Sequence, residues 1–319
     1  MRKILFAVLL LAFFVVSCGQ KQVTSAFDPY AGGNTGLALS FQEGNPPEEI
    51  FDAGQYPFGI GVIIENKGEY DFVASRDYGK VSLIGLNSAY FGNPETSKAI
   101  DVDVKGKRKN FEGTIIDGDI TSINFENFNY QQDIFGNDFF TLRAEACYDY
   151  QTRVSTKICI KENVIETSKD ADKICKLNEV KSPKNSGAPV QITSLSQNPA
   201  GQNKASLLLV ISHVGTGQIY KKGSQRFCDD SVTNVDKNIV YVTVSLPEDT
   251  DATVNCPALS EGGVAGYVNL YNGAPRTVTC TVTMGNEGKI YEPVFLVTLD
   301  YLYGEYIEKD IIIKDVSAG

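Results

Sequence analysis

Tryptophan is absent from this chain of 319 residues, methionine occurs twice, and His213 is the single histidine. A catalytic triad needs an imidazole beside its nucleophile, and the sequence contains no Gly-x-Ser-x-Gly elbow. Paired carboxylates such as Asp117 and Asp119 lie among turn-forming residues, which is atypical of the facing acids of a glycosidase. We therefore predict that the protein is not an enzyme and that His213 is a turn residue.

Positive charge is also scarce, since 29 Lys and Arg residues stand against 39 Asp and Glu residues, a net charge of −10. Such a chain repels phosphate backbones, so nucleic acid is excluded as an expected partner. Residues 105–109 (KGKRK) form the one basic cluster. We interpret it as a solvated β-turn, with contact to an anionic lipid surface or a glycan as the alternative.

The N-terminus holds the longest apolar run. Arg2 and Lys3 precede thirteen apolar residues, 4–16, a length typical of a signal sequence and short for a bilayer span. Ser17 and Cys18 follow, and this order resembles the lipobox of secreted lipoproteins. The resemblance implies cleavage before Cys18 and lipidation of its thiol. The expected protein is exported and anchored by lipid at the cell surface or in the periplasm or envelope; an ordinary secretory signal or an uncleaved anchor is the alternative.

Six cysteines remain once Cys18 is set aside, and an even number in an exported chain predicts disulfides. The closest two are twelve residues apart, which is unlike the ligand spacing of zinc sites. Local geometry favours three bonds among the fifteen possible connectivities: Cys147–Cys159 across a hairpin centred near Arg153, Cys256–Cys280, and Cys175–Cys228.

No cofactor or metal is predicted. Calcium is the alternative, because residues 115–121, 228–238 and 247–255 each offer several oxygen ligands. None of the three follows the order of an EF-hand loop, so we interpret them as surface turns.

Short alternating runs rich in Val, Ile, Thr, Tyr and Phe recur every ten to twenty residues, and Gly, Asn, Asp or Pro separates them. This spacing predicts an all-β fold of the sandwich type. The runs are 36–41, 58–66, 80–86, 100–104, 139–150, 207–212, 238–246, 265–271, 276–284, 293–303 and 310–316.

An internal repeat divides the chain. Residues 53–68 align without a gap on residues 200–215 at an offset of 147, and residues 147–161 align on 300–314 at an offset of 153. The two halves therefore open and close alike, and each is predicted to end in a hairpin with a Tyr-x-Tyr strand.

The repeat predicts two tandem immunoglobulin-like β-sandwich domains after the lipoprotein-type signal segment. Their expected bounds are a signal peptide at 1–17, a tether at 18–34, the first domain at 35–162, a linker at 163–187 and the second domain at 188–319.

The opening segment of the first repeat, residues 52–72 (DAGQYPFGIGVIIENKGEYDF), carries a family resemblance. It resembles the surface modules of the CARDB type and related immunoglobulin-like domains of prokaryotic cell-surface proteins. The closing segments are also similar to uncharacterised exported archaeal proteins. The second copy departs from the pattern, with Ser-His-Val-Gly in place of Glu-Asn-Lys-Gly. The resemblance implies a role in adhesion, spacing or assembly.

Residues 123–140 hold more aromatic side chains than one strand face needs, including Phe125, Phe128, Tyr130 and Phe135. A core strand followed by a packed loop is one interpretation. The other is an exposed patch for a protein partner, with these four residues as contacts. The expected function is a non-enzymatic binding or assembly module with a protein or envelope partner; a structural spacer or lattice component of the envelope is the alternative.

Overall fold

The computed structural model describes residues 28–161, 174–285 and 289–316. The predicted signal peptide and Cys18 lie outside these residues. The described residues are built from β-strands and two short 3-10 helices, Ser88–Phe91 and Tyr271–Gly273, so the predicted all-β class is confirmed. Within the described ranges we find no helix with the length and apolar character needed to cross a bilayer.

The strands follow in chain order: β1 Leu37–Phe41, β2 Glu49–Phe51, β3 Phe58–Asn66, β4 Gly79–Ile84, β5 Ser97–Ala99, β6 Arg108–Lys109, β7 Ile115–Ile116, β8 Ile120–Phe128, β9 Asn137–Lys157, β10 Ile160–Lys161, β11 Glu179–Lys181, β12 Lys184–Asn185, β13 Val190–Gly201, β14 Lys204–His213, β15 Gln218–Tyr220, β16 Ile239–Ser245, β17 Ala252–Asn255, β18 Ala265–Asn269, β19 Arg276–Met284, β20 Ile290–Tyr291 and β21 Val294–Lys314.

Three larger sheets form a sandwich-like arrangement. A nine-stranded sheet has the central order β18-β16-β21-β9-β4-β5, with β2, β12 and β15 added at its margins. A three-stranded sheet, β1-β3-β8, belongs to the first repeat, and a five-stranded sheet, β11-β13-β14-β19-β17, belongs to the second. Buried apolar side chains from all three sheets form one continuous cluster, so the repeats share a core.

Strands β9 and β21 dominate the large sheet. Each has 21 residues, and they pair antiparallel along their whole length, from Asn137 opposite Lys314 to Lys157 opposite Val294. The predicted closing hairpins are therefore wrong in both repeats. The stretch around Arg153 holds no Gly, Pro or Asn that would favour a turn, and the ladder with β21 satisfies its backbone groups.

The sequence repeat corresponds to equivalent strands. Strand β3 lies between β1 and β8, and β14 lies between β13 and β19. In the predicted linker, β11 pairs with β13 and β12 pairs with β9. The large sheet thus joins the two repeats, while their division into separate immunoglobulin-like domains stays a prediction.

Three disulfides connect the described residues: Cys147–Cys228, Cys159–Cys175 and Cys256–Cys280. The predicted Cys256–Cys280 bond is confirmed. The predicted Cys147–Cys159 and Cys175–Cys228 bonds are wrong, because β9 continues through Arg153 and never folds back to bring the first two together. Disulfides persist in oxidising surroundings, so the protein belongs to an extracellular or periplasmic type of compartment.

Candidate functional site

Four buried tyrosines meet where β9 crosses from one repeat to the other. Tyr148 lies opposite Tyr303, and Tyr150 lies opposite Tyr301. Ring centroids of neighbouring tyrosines are 5.7–6.4 Å apart, and no ring is more than 1% exposed. Burial raises the pKa of all four hydroxyl groups well above the usual range, so they stay neutral.

The single histidine bonds to this tyrosine cluster. His213 Nε2 lies 3.1 Å from the hydroxyl of Tyr303, which also accepts a hydrogen bond of 2.7 Å from Gly217 N. In the first repeat Asn66 replaces His213, and its Oδ1 accepts a bond of 3.1 Å from the hydroxyl of Tyr150. The imidazole thus performs the same packing role as an amide, and its pKa is lowered by burial.

Glycine at the end of each repeated motif makes these contacts possible. A Cβ on Gly68 would stand 2.0 Å from the hydroxyl of Tyr150, and a Cβ on Gly215 would stand 2.4 Å from that of Tyr303. Gly36 O accepts hydrogen bonds from the amides of residues 67 and 68, and Pro189 O accepts them from residues 214 and 215. The two copies therefore share one hydrogen-bonded corner.

The oxygen-rich segments show no metal centre. Among the described residues, no group of three or more His, Cys, Asp or Glu side chains is placed to hold an ion. Two carboxylates of residues 228–238 have partners close by in the chain: Asp229 Oδ1 accepts from Ser231 N at 3.0 Å, and Asp236 Oδ2 accepts from Ser224 Oγ at 2.7 Å. These bonds are those of an ordered surface turn.

The basic cluster holds the start of the described chain. Lys107 Nζ donates to Gly32 O at 2.9 Å, and Lys109 Nζ donates to Asp28 O at 3.0 Å. The carboxylate of Glu69 accepts from Ala31 N at 2.9 Å, Gly32 N at 2.8 Å and Gly187 N at 2.6 Å. Residues 28–34, the end of the predicted tether, are therefore fixed against the body of the protein.

Three of the four predicted contact residues lie in the core. Phe125 and Phe128 are fully buried, Tyr130 is 7% exposed, and Phe135 is fully exposed. Simple alternation would place Phe125 and Phe128 on opposite faces of β8. A β-bulge prevents this: two residues of β8 oppose Gly59 alone, and Asn127 adopts a left-handed φ of 65°. The interpretation of 123–140 as an exposed patch for a partner is therefore wrong for these three residues, and the alternative of a core strand fits their burial.

Phe135 shares one end of the long strands with several other exposed apolar side chains. We name this group the distal cluster, and it consists of Phe51, Tyr56, Phe135, Phe139 and Ile312. Phe139 is 75% exposed and lies opposite Ile312 in the β9–β21 ladder, with both side chains on the outer face.

Neighbouring elements complete this cluster. The rings of Phe51 and Tyr56 are 5.1 Å apart, and Phe51 pairs with Lys314 at the end of β21. Phe135 precedes β9 in a turn where Asp315 Oδ2 accepts a hydrogen bond of 3.2 Å from Gly136 N. Phe135 was among the predicted contacts and Phe139 lies in the predicted aromatic segment 123–140, whereas Phe51, Tyr56 and Ile312 were missed because strand register decides which side chains point outward.

The distal cluster and the chain entry lie at opposite ends of the long strands. Pro29 and Tyr30 line a groove with Ser155 and Lys157, at the C-terminal end of β9. Phe139 is at the N-terminal end of the same strand. The sixteen-residue interval between positions 139 and 155 corresponds to about 50 Å of extended chain.

No protein-family model and no curated protein matches this chain.

Proposed function

We propose that this protein is an exported, lipid-anchored binding or assembly module of the cell surface or envelope, without enzymatic activity, which contacts a protein partner through the distal cluster. Two immunoglobulin-like modules form its body, and Cys18 is its lipidation site.

One observation carries the proposal: exposed aromatic side chains gather at the end of the long strands that is farthest from the chain entry. An anchor before Asp28 leaves that end directed away from the membrane. Exposed apolar clusters with polar surroundings are typical of protein contact sites. Phe139 and Phe135 together offer the aromatic contacts on which such sites depend.

The long ladder also favours the alternative, a spacer or lattice component. Strands of 21 residues span roughly 70 Å and bridge both repeats, which gives the body the stiffness of a spacer. In that role the distal cluster contacts further copies of the same chain.

Site-specific photo-crosslinking in intact cells separates these roles. A photoreactive residue replaces Phe139 in the full chain, and a matched control replaces Val180, an exposed apolar residue at the opposite end. The proposal predicts one dominant foreign protein cross-linked through position 139 alone. Cross-links to further copies of the chain favour the spacer, and identical products from both positions refute a distal contact site.

Lipid anchoring has its own test. Metabolic labelling with a radioactive fatty acid should mark the wild-type protein and leave Cys18→Ala unlabelled. Equal labelling of both proteins would reject Cys18 as the lipidated residue.

A further inference from the structure

A polar cavity of about 720 Å³ opens in the second repeat beside His213. Three segments enclose it: the end of β14 with the start of β15, the loop 232–238, and residues 269–273. Its volume is within the range of small-ligand sites.

Carboxamides dominate this lining. Asn234 is 6% exposed and fixed in place: its Nδ2 donates to Asp229 O at 2.7 Å, and its Oδ1 accepts from Asp236 N at 3.0 Å. No hydrogen bond joins the side-chain carboxamides of four further lining residues to another described residue: Gln218, Asn238, Asn269 and Asn272. Each carries two N–H donors and a carbonyl with two lone pairs, so the cavity offers donors and acceptors side by side.

The cavity carries little net charge. None of its described lining residues is a carboxylate, and its one cation, Lys237, forms an ion pair with Asp230. Burial lowers the pKa of His213, which keeps the imidazole neutral at neutral pH. A cationic ligand would lose hydration without gaining a carboxylate partner in the lining, and an anionic ligand would find the lining cation already paired.

Apolar groups stand at the rim. Tyr271 is 63% exposed, and the guanidinium of Arg276 lies 5.5 Å from its ring centroid. Val232 and Val235 project from the facing loop, fully and 80% exposed. Because Arg276 lies over one face of the ring, the other face is the one that can provide an apolar platform for a ligand held by the free carboxamides.

The equivalent place in the first repeat is filled. Asn66, which aligns with His213, is completely buried, and its Nδ2 donates to Tyr70 O at 2.8 Å and to Val104 O at 2.9 Å. The first repeat therefore lacks an equivalent cavity beside Asn66. The cavity lies where the sequence of the second repeat differs from that of the first.

From these features we infer that the cavity beside His213 binds a neutral carbohydrate. Sugar hydroxyls donate and accept hydrogen bonds at adjacent positions, as the free amides do, and the apolar C–H face of a sugar ring packs on an aromatic side chain. The site is separate from the distal cluster, so this inference does not depend on the proposed protein partner.

Titration calorimetry on the purified full chain tests the inference. The probes are neutral oligosaccharides (maltopentaose, cellopentaose, chitopentaose and mannopentaose), with sialyllactose and a galacturonate oligomer as charged comparisons. We expect at least one neutral probe to bind with a Kd of about 1 mM or tighter. Failure of every neutral probe to bind, or binding of the charged probes alone, overturns the inference.

Variants locate the site. Asn269→Ala and Tyr271→Ala should each weaken binding about tenfold or more, and Tyr271→Phe should retain it because the ring remains. Tyr90→Ala removes an exposed tyrosine that belongs to neither site and serves as the matched control. Binding that is equal in all four variants would place the sugar elsewhere and overturn the assignment. Thermal unfolding of each variant confirms that the fold is intact.

Discussion

At the scale of single residues, Tyr150 and Tyr303 determine what the repeated motif must contain. Each hydroxyl ends against a backbone position at which a Cβ would overlap it, at Gly68 and Gly215 respectively. In each copy the aligned glycine therefore contacts the aligned tyrosine, although 82 residues separate them in the first copy and 88 in the second. The sequence shows both alignments, but only the fold shows that they meet.

Gly215→Ala should destabilise the protein by about 1–3 kcal/mol, because the added methyl group overlaps Oη of Tyr303 and Cβ of Pro189, both of them buried residues. Urea unfolding measures the change. Gly59→Ala is the matched control, since its closest contact is 3.2 Å, and it should cost clearly less. Equal losses would contradict the packing argument.

Asp149 gives a prediction about pH. Its side chain is 6% exposed, Oδ2 accepts from Tyr78 N at 3.0 Å, and Oδ1 has no partner among the described residues. Burial raises the pKa of this carboxyl group. The folded state therefore holds the proton more tightly than the unfolded state, and this contribution to stability is lost as pH rises through the raised pKa.

Asp149→Asn removes that ionisation, so the variant should gain stability relative to the wild-type protein between pH 4 and pH 8. Thermal unfolding at both pH values measures the difference. Asp138→Asn, an exposed change on the same strand, is the control. A difference that is the same at both pH values, or the same for both variants, would rule out a buried charge as the cause.

At the scale of elements, the β9–β21 ladder explains which predictions succeeded. The alternation of apolar and polar residues identified the strands and the all-β class, because it depends only on neighbouring residues along one strand. It failed near Arg153, since pairing with Thr298, 145 residues further along the chain, decides that the strand continues there. The bulge at Asn127 is a similar case: a single left-handed residue returned Phe128 to the core.

The disulfides give a prediction at this scale. Mapping without reduction should find Cys147–Cys228, Cys159–Cys175 and Cys256–Cys280. The first bond spans 81 residues and the second 16, so removing the first by Cys→Ser pairs should cost ~1.4 kcal/mol more by loop entropy. Denaturant unfolding of the two double variants compares them. A larger loss from the shorter loop would show that local contacts, and not loop entropy, dominate.

At the scale of the whole molecule, the two repeats share one core and one large sheet. Each long strand contributes to both halves: Cys159, beyond the end of β9, donates its N–H at 2.8 Å to Oε1 of Gln197 in β13. Short β2 of the first repeat pairs with the end of β21. Neither repeat therefore holds a complete set of strands by itself.

The protein should accordingly unfold in one cooperative transition. A fragment of residues 188–319 should fail to give a folded spectrum alone and should recover one when mixed with residues 28–187. Circular dichroism and amide proton dispersion measure both. A folded, monomeric fragment 188–319 would establish the second repeat as an autonomous domain.

The attachment of residues 28–34 to the body of the protein has a mechanical consequence. The Glu69 carboxylate ties this segment to Gly187 beside the C-terminal end of β9, while the distal cluster lies at the other end. A pull between these two points runs along β9 and β21 and shears their ladder. Under such a force the backbone hydrogen bonds between the two strands are loaded together and do not break one at a time. Strands β9 and β21 would therefore resist extension as a single unit.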